Sequence, residues 1–200
     1  MSTPHRPTAG TGTGAAPKAP ESPAVRIPVG TPDRMREVGR TLARLLRPGD
    51  LVLLTGALGA GKTTLARGLG EGLGVRGAVT SPTFVIARVH PPLGDGPPLV
   101  HVDAYRLGGG LEEMEDLDLD VSLPESVVVV EWGEGRVEEL SEDRLHVVIE
   151  RAAGTAGTAG EDGADRPEDH DVRTVTVTGV GGRWAGADLS ALTGAARRGG

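Results

Sequence analysis

One stretch of this chain combines glycines with a lysine and threonines at the spacing of a phosphate-binding loop. Residues 56–64 read Gly-Ala-Leu-Gly-Ala-Gly-Lys-Thr-Thr and fit the pattern G-x-x-x-x-G-K-[ST]. A short apolar run over 50–55 precedes the stretch, and leucines at helical spacing follow it over 64–73. Strand, glycine loop and helix are the context in which this pattern binds phosphate. The stretch therefore predicts a P-loop that holds a nucleotide.

Each residue type in this loop has a chemical role. Glycine lets the backbone approach a ligand closely, so that consecutive N–H groups and the positive end of the following helix bind phosphate oxygens. Lys62 would bridge the β- and γ-phosphates and stabilise the charge that develops during catalysis, and the hydroxyl of Thr63 would bind Mg²⁺. The predicted phosphate-binding residues are Gly56, Gly59, Ala60, Gly61, Lys62, Thr63 and Thr64.

Two carboxylates follow apolar strands and are predicted to belong to the same site. Asp103 ends the run 99–103, which has the general form of a Walker B strand, and it would position Mg²⁺ directly or through water. Glu131 follows four valines, and the carboxyl ends of central strands lie beside the phosphates in a doubly wound fold. Glu131 would either orient or deprotonate the attacking water or complete the Mg²⁺ shell. Trp132, the next residue, either packs in the core or lines the site.

Three further sequence features predict a function less specifically than the P-loop does. The segment Ser81-Pro82-Thr83 has the position of a switch that senses the γ-phosphate, and it equally fits an ordinary turn. His101 lies between two valines of a strand, which favours a packed, hydrogen-bonded side chain over a catalyst. Residues 108–123 are strongly acidic and predict either an acidic surface helix or a docking face for a basic partner.

The composition narrows the class of protein. The 200 residues suffice for one domain with a sizeable core, and no apolar run is long enough to cross a membrane. The absence of cysteine excludes disulfides and thiolate metal sites and is typical of a cytoplasmic protein. The net charge of −7 argues against a large nucleic-acid footprint, so an RNA role would act through a partner. Apart from Lys18, the only lysine is Lys62, where a P-loop requires one.

The hydrophobic pattern predicts an α/β fold with a single P-loop NTPase domain, whose mostly parallel central sheet is flanked by helices and carries a C-terminal antiparallel hairpin. We expect a disordered tail at 1–23, the domain at 24–185 with a flexible insert at 152–169, and a loose tail at 186–200. The predicted elements are an edge strand at 24–29, a helix from 31 to 46, strands at 50–55, 85–90, 99–103 and 127–130, hairpin strands at 145–149 and 172–177, and a terminal helix at 184–192.

Four motifs in this order resemble those of the TsaE family, also called YjeE. They are the glycine loop, Thr-Ser-Pro-Thr-Phe, His-Val-Asp-Ala-Tyr-Arg-Leu and Val-Glu-Trp-Gly, and the resemblance spans roughly residues 24–150. The family is the ATPase subunit of the bacterial tRNA threonylcarbamoyladenosine machinery, so the resemblance implies binding of ATP and Mg²⁺. The resemblance also implies that the chain acts with a TsaB–TsaD heterodimer, which modifies the adenosine next to the anticodon. Contact with tRNA would then be made only through these partners. Slow ATP hydrolysis would reset that complex between turnovers.

The resemblance assigns further site residues. Thr83 matches the family's switch segment, and Trp132 matches its tryptophan. The two carboxylates described above match the family's essential acids. The start of the first helix lies near the adenine in this family, which adds Thr31 and Asp33 to the candidate nucleotide site.

Three other functions are compatible with a P-loop alone. A GTPase would need an Asn/Thr-Lys-x-Asp element, and the chain has no asparagine and no lysine in such an element, so this function is excluded. A small-molecule kinase would carry an arginine-rich lid after the third strand, where residues 108–123 are acidic instead; this disfavours a kinase, which stays open as an alternative. An ATP-gated assembly factor, in which binding alone acts, stays open. No arginine finger can be assigned, so we expect slow hydrolysis by the isolated chain.

Overall fold

The computed structural model describes residues 24–81, 86–106, 119–135, 140–151 and 172–194. The strands are β1 (Val25–Val29), β2 (Leu51–Gly56), β3 (Ala87–His90), β4 (Leu99–Asp103), β5 (Val127–Glu131), β6 (Arg144–Arg151) and β7 (Arg173–Val180). The helices are α1 (Pro32–Ala43), α2 (Lys62–Leu73), α3 (Leu119–Ser122) and α4 (Ala191–Gly194), with short 3₁₀ turns at Ala104–Arg106 and Leu123–Glu125.

The strands form one sheet in the order β1-β7-β6-β2-β5-β4-β3. Strands β6, β2, β5 and β4 run parallel, and antiparallel partners lie outside them: β7 and then β1 beyond β6, and β3 beyond β4. This arrangement confirms the predicted α/β class, the mostly parallel centre and the C-terminal hairpin. Strand β1 lies at an edge, as predicted from Pro28, which lacks the N–H that a central strand would donate.

Helices α1 and α2 pack side by side on one face of the sheet, and glycines allow their close approach. A Cβ on Gly39 would lie 2.4 Å from the backbone oxygen of Leu65, and a Cβ on Gly68 would lie 2.2 Å from that of Arg36. Helix α1 begins as predicted, because Thr31 caps it by accepting a hydrogen bond from the backbone N–H of Arg34 at 3.2 Å. These contacts hold the start of α1 close to α2 and to the loop before it.

Helix α1 ends at Ala43, three residues before the predicted end. The amides of Leu45 and Leu46 donate to the carbonyls of Leu42 and Ala43, so the chain leaves the helix through tighter turns. The proline at 48 disfavours the helical conformation of the residue before it, which explains why the helix does not continue.

Apolar side chains fill both faces of the sheet. The core under α1 and α2 includes Val52 and Leu54 of β2 and Val129 of β5. The opposite face buries other apolar side chains, among them Leu53, Val130, Val100, Val102, Ala104 and Leu119. Strands β2 and β5 are therefore buried on both sides, as expected for central parallel strands. Their carboxyl ends are held rigidly at one edge of the sheet.

The C-terminal segment differs from its prediction. Only residues 191 and 192 of the expected helix 184–192 are helical, as the start of the short helix Ala191–Gly194, and residues 182–186 form turns. Leu189 and Leu192 are nevertheless buried in the core beside α1, together with Trp184. The loose tail was expected from residue 186, so the packed part of the chain extends further than the predicted boundary at 185. The glycine and alanine content of the segment obscured the few large apolar residues that anchor it.

Several predictions fall on residues outside the described part. They are the tail 1–23, Thr83 in the switch segment, most of the acidic stretch 108–123 and the insert 152–169. Among the described residues, no helix is both long and apolar enough to cross a membrane.

Candidate nucleotide and metal site

Three neighbouring parallel strands deliver the candidate residues to one edge of the sheet. Strand β2 ends at Gly56, β5 at Glu131 and β4 at Asp103. The strand register places Asp103 opposite Glu131, and Glu131 opposite Leu54, two residues before the glycine loop. The edge where the carboxyl ends of parallel strands meet is the usual ligand-binding position in such sheets.

The glycine loop (residues 56–61) takes backbone conformations that favour glycine. Gly59 and Gly61 have φ values of +75° and +113°. Gly61 is also the N-cap residue of α2 and has no side chain that could accept hydrogen bonds from the first N–H groups of this helix. A Cβ at Gly61 would lie 3.1 Å from Cε of Met35 in α1. The start of α2 is therefore open to a ligand that accepts hydrogen bonds, with the positive end of the helix behind it.

Lys62 turns its ammonium group back into the site. Its Nζ donates to the carbonyl oxygens of Gly56 at 2.8 Å and Ala57 at 3.1 Å, and it lies 3.6 Å from the centre of the Trp132 ring. Burial lowers the pKa of Lys62, while the charges of Glu131 and Asp103 oppose this shift. The buried cation has only neutral groups at hydrogen-bonding distance among those described, so a bound anion would gain strongly from it.

Glu131 connects the glycine-loop helix to the sheet. The hydroxyl of Thr63 donates to its Oε1 at 2.9 Å, and Nε2 of His101 lies 2.9 Å from the same oxygen. The carboxylate is almost completely buried, and the His101 side chain is fully buried. The prediction of a packed, hydrogen-bonded His101 is confirmed. The sequence did not reveal that its hydrogen-bond partner is Glu131, which is itself a predicted site residue.

Asp103 lies at the open side of the same site. Its Oδ1 accepts the backbone N–H of Tyr105 at 3.1 Å, and its Oδ2 accepts the hydroxyl of Ser81 at 3.4 Å. Ser81 begins the predicted switch segment, so the described part of that segment contacts the carboxylate of Asp103.

Trp132 lines the site rather than filling the core. Among the described residues it is the one non-glycine residue in the left-handed region, with φ of +64°. Its ring covers Lys62 on one side and contacts the exposed Tyr105 ring, with the two ring centres 5.2 Å apart. The unusual backbone conformation directs the indole across the mouth of the site.

These residues surround a groove of about 410 Å³. It is lined by Leu58, Gly59, Gly61, Lys62, Thr63, Thr64, Ser81, Asp103, Tyr105, Glu131 and Trp132. Most of the residues predicted from sequence thus meet in one place. Leu58 and Tyr105 were not predicted as site residues, although Leu58 lies within the loop motif and Tyr105 lies two residues after Asp103, and Ser81 was predicted only as part of the candidate switch segment.

The remaining predicted residues lie around this groove or apart from it. Gly56 and Ala60 line a neighbouring groove of about 480 Å³ beyond Trp132. Thr31 lines a smaller pocket of about 80 Å³, which it shares with Gly59, Gly61, Thr64 and Arg173. Asp33 lies apart: its side chain is 85% exposed, pairs with Arg36 at 2.6 Å and lines neither pocket at the loop.

The oxygen donors suit a small hard cation held together with a ligand. The hydroxyl of Thr63 and the carboxylates of Glu131 and Asp103 line the groove. No group of three or more His, Cys, Asp or Glu side chains placed to hold a metal ion exists within the described residues. Mg²⁺ is commonly bound by one or two protein oxygens with waters and substrate phosphates, and these residues fit that pattern.

Comparison with known proteins identifies the family of this chain. The family model described as "Threonylcarbamoyl adenosine biosynthesis protein TsaE" matches residues 29–158. The chain belongs to the TsaE family. The resemblance predicted from the four motifs is therefore confirmed, and proteins of this family take part in tRNA threonylcarbamoyladenosine biosynthesis.

Individual relatives support the TsaE assignment over most of the chain. A TsaE protein of Streptomyces coelicolor is 74% identical over 160 residues, which cover 80% of this chain and 100% of the relative. A TsaE protein of Bacillus subtilis is 37% identical over 155 residues, covering 76% and 84% of the two chains. The crystal structure of Bacillus subtilis YdiB matches with a TM-score of 0.57 and 32% identity, over 80% of this chain and 88% of that one.

Proposed function

We propose that this chain is the Mg²⁺-dependent, ATP-binding and ATP-hydrolysing subunit required for threonylcarbamoyl modification of the adenosine next to the anticodon in tRNA. The observation that carries the proposal is the arrangement of Lys62, Thr63 and Glu131 where the glycine loop meets α2. Family membership supports the pathway, and the site geometry supports the nucleotide chemistry.

The glycine loop and α2 offer the groups that ATP phosphates need. The uncapped N–H groups at the start of α2 and the Nζ of Lys62 are donors around one groove. The small pocket beside Thr31 adjoins the loop glycines, which supports an adenosine position at the start of α1. Asp33 points to solvent, so Thr31 is the better candidate of the two for contact with the base.

Mg²⁺ would bind at Thr63 and Glu131, and when bound it would neutralise phosphate charge and help to align the reacting groups. The hydrogen bond between these two side chains supports a metal-side role for Glu131. Asp103, on the open side of the groove, would then act on Mg²⁺ through water or orient the attacking water. Lys62 would stabilise the charge that develops on the phosphate oxygens as the bond breaks.

Hydrolysis by the isolated chain should be slow. Of the residues described, those that line the 410 Å³ groove include no arginine that would act as a finger. Leu58 and Tyr105 at its rim are 87% and 71% exposed, which supports completion of the site by another protein. We propose a TsaB–TsaD-type heterodimer as this partner in the cytoplasm, with tRNA contacted through it rather than through a chain of net charge −7.

The test is binding and hydrolysis of ATP, ADP and GTP in Mg²⁺, with and without the partner pair. We expect adenine-selective binding by the chain alone and hydrolysis that appears mainly with the partners. Phosphate transfer to a small molecule without partners would favour the kinase alternative. Fast hydrolysis by the isolated chain would contradict the proposed dependence on partners, and absence of nucleotide binding would contradict the function itself.

A further inference from the structure

We propose that His101 is a positioning residue that holds the carboxylate of Glu131 in place for Thr63 and the cation. The proposal rests on the proposed Mg²⁺–ATP function. His101 lies on β4 two residues before Asp103, and its register partner Val129 lies on β5 two residues before Glu131. The imidazole is therefore directly behind the site, on the face covered by α2, where no solvent reaches it.

The hydrogen-bond geometry converges on one oxygen atom. Oε1 of Glu131 accepts the hydroxyl of Thr63 at 2.9 Å and lies 2.9 Å from Nε2 of His101. Thr63 approaches Glu131 from α2, whereas His101 approaches it from the neighbouring strand. A side chain held from two different elements loses most of its rotational freedom before any ligand arrives.

Donor and acceptor roles follow from the chemistry of the groups. An ionised carboxylate only accepts hydrogen bonds, so Nε2 of His101 must carry the hydrogen and donate it to Glu131. Nδ1 of His101 is buried and has no hydrogen-bond partner among the described residues. A hydrogen on Nδ1 would be a buried donor without an acceptor, which is costly. A hydrogen on Nε2 and none on Nδ1 satisfies both conditions.

A fixed carboxylate matters because Mg²⁺ demands near-ideal geometry from its ligands. Groups that orient metal ligands typically change metal affinity by about 10- to 100-fold when they are removed. Loss of the His101 donor would leave Thr63 as the one side-chain hydrogen-bond partner of Glu131 among the described residues, and the carboxylate would be freer to turn. The effect should appear in cation affinity and not in the affinity for nucleotide without metal.

Two substitutions separate this role from simple core packing. In His101→Gln the amide nitrogen reaches about as far as Nε2 and keeps the donor toward Glu131. In His101→Asn the side chain is polar as well, but its amide nitrogen ends near the position of Nδ1. Calorimetry with a non-hydrolysable ATP analogue, in EDTA and in Mg²⁺, gives the gain in affinity that the metal provides for each variant.

We expect His101→Asn to lose about 10- to 100-fold of the Mg²⁺-dependent gain, with unchanged affinity in EDTA, and His101→Gln to keep most of the gain. Thermal unfolding of both variants checks that the comparison is made on folded protein. Equal losses in both variants, or full Mg²⁺ dependence in His101→Asn, would overturn the proposal.

A second measurement needs neither nucleotide nor metal. Long-range ¹H–¹⁵N NMR of the nucleotide-free chain should show the hydrogen of the His101 ring on Nε2, and Glu131→Gln should shift the ring signals. An Nδ1–H tautomer, or signals unaffected by Glu131→Gln, would overturn the role of His101. If Mg²⁺ does not raise the nucleotide affinity of the unsubstituted chain, the proposed function is contradicted. The NMR result would still decide whether His101 holds Glu131.

Discussion

The hydroxyl of Thr63 donates a hydrogen bond to Oε1 of Glu131 over 2.9 Å, between residues 68 positions apart in the chain. The bond joins the first turn of α2 to the end of β5. Each of the two side chains was a candidate for the metal on the basis of its own motif, and the fold brings them together. The candidate site therefore depends on three neighbouring strands and one helix rather than on the glycine loop alone.

Thr63→Ala tests this junction. Removal of the hydroxyl should reduce the Mg²⁺-dependent gain in ATP affinity by about tenfold or more, since an oxygen ligand and the contact with Glu131 are both lost. Thr63→Ser keeps the hydroxyl and should behave like the unsubstituted chain. The measurement is calorimetric titration in Mg²⁺ and in EDTA. Retention of the full metal effect by Thr63→Ala would show that the cation is not held at this position.

Lys62→Met tests whether the buried ammonium serves the ligand rather than the fold. The affinity for ATP should fall by about 10- to 100-fold, because charge-assisted hydrogen bonds to phosphate are lost. The free energy of unfolding without nucleotide should change by no more than about 1 kcal/mol, since a buried cation that has no ion-pair partner among the described residues adds little stability. Lys18→Met, which removes the other lysine, is the matched control and should bind ATP normally.

The same substitution has a consequence for pH dependence. Burial lowers the pKa of Lys62 in the folded chain, so between that pKa and the ordinary value the unfolded chain binds more protons. The contribution of Lys62 to stability therefore rises as the pH increases through this interval. Lys62→Met should remove that rise, as measured by denaturant unfolding at increasing alkaline pH. An unchanged pH profile would indicate that the lysine is solvated in the folded state.

The two tryptophans should respond differently to nucleotide. The Trp132 ring covers Lys62, and an anion that draws the ammonium toward itself must change the surroundings of the indole. Trp184 is buried in the core beneath Arg183, away from the groove. We expect Trp184→Phe to keep the ATP-induced change in fluorescence and Trp132→Phe to lose it. The reverse pattern would place the responding indole outside the site.

Much of this site is predictable because its parts are local in sequence. The glycine loop, Asp103 and Glu131 each follow a buried strand, and a parallel sheet aligns such ends at one edge. The bond between His101 and Glu131 is not predictable in the same way. It depends on the register of β4 against β5, which pairs His101 with Val129 and which neither strand specifies alone.

The C-terminal segment was difficult to predict because its composition is misleading. Its glycines and alanines resemble a tail, and the boundary at 185 was expected on that composition. Burial of Leu189 and Leu192 depends on a surface formed by distant elements, chiefly α1 and β1, which sequence periodicity cannot reveal. Helix propensity also did not predict the bounds of the terminal helix. A helix of four residues is stabilised by its packing and not by its own sequence.

Leu192→Ala tests that the chain is packed beyond residue 185. Leu192 is fully buried, so truncation to alanine should lower the free energy of unfolding by about 2–5 kcal/mol. Leu93 is 69% exposed in a loop, and Leu93→Ala should change the stability by less than about 0.5 kcal/mol. Denaturant unfolding of the two variants gives the comparison. Equal, small effects would support the loose tail that the composition suggested.

The central claim is that ATP hydrolysis at this site sustains repeated tRNA modification. The most direct measurement is reconstitution of threonylcarbamoyladenosine formation with the partner pair, comparing the unsubstituted chain with Glu131→Gln and following modified tRNA over time. We predict that the unsubstituted chain supports many turnovers with ATP consumption, whereas Glu131→Gln still binds nucleotide but supports little modification after the first turnover. Sustained modification at the normal rate by Glu131→Gln, without ATP hydrolysis, would contradict the account and favour an ATP-gated assembly factor.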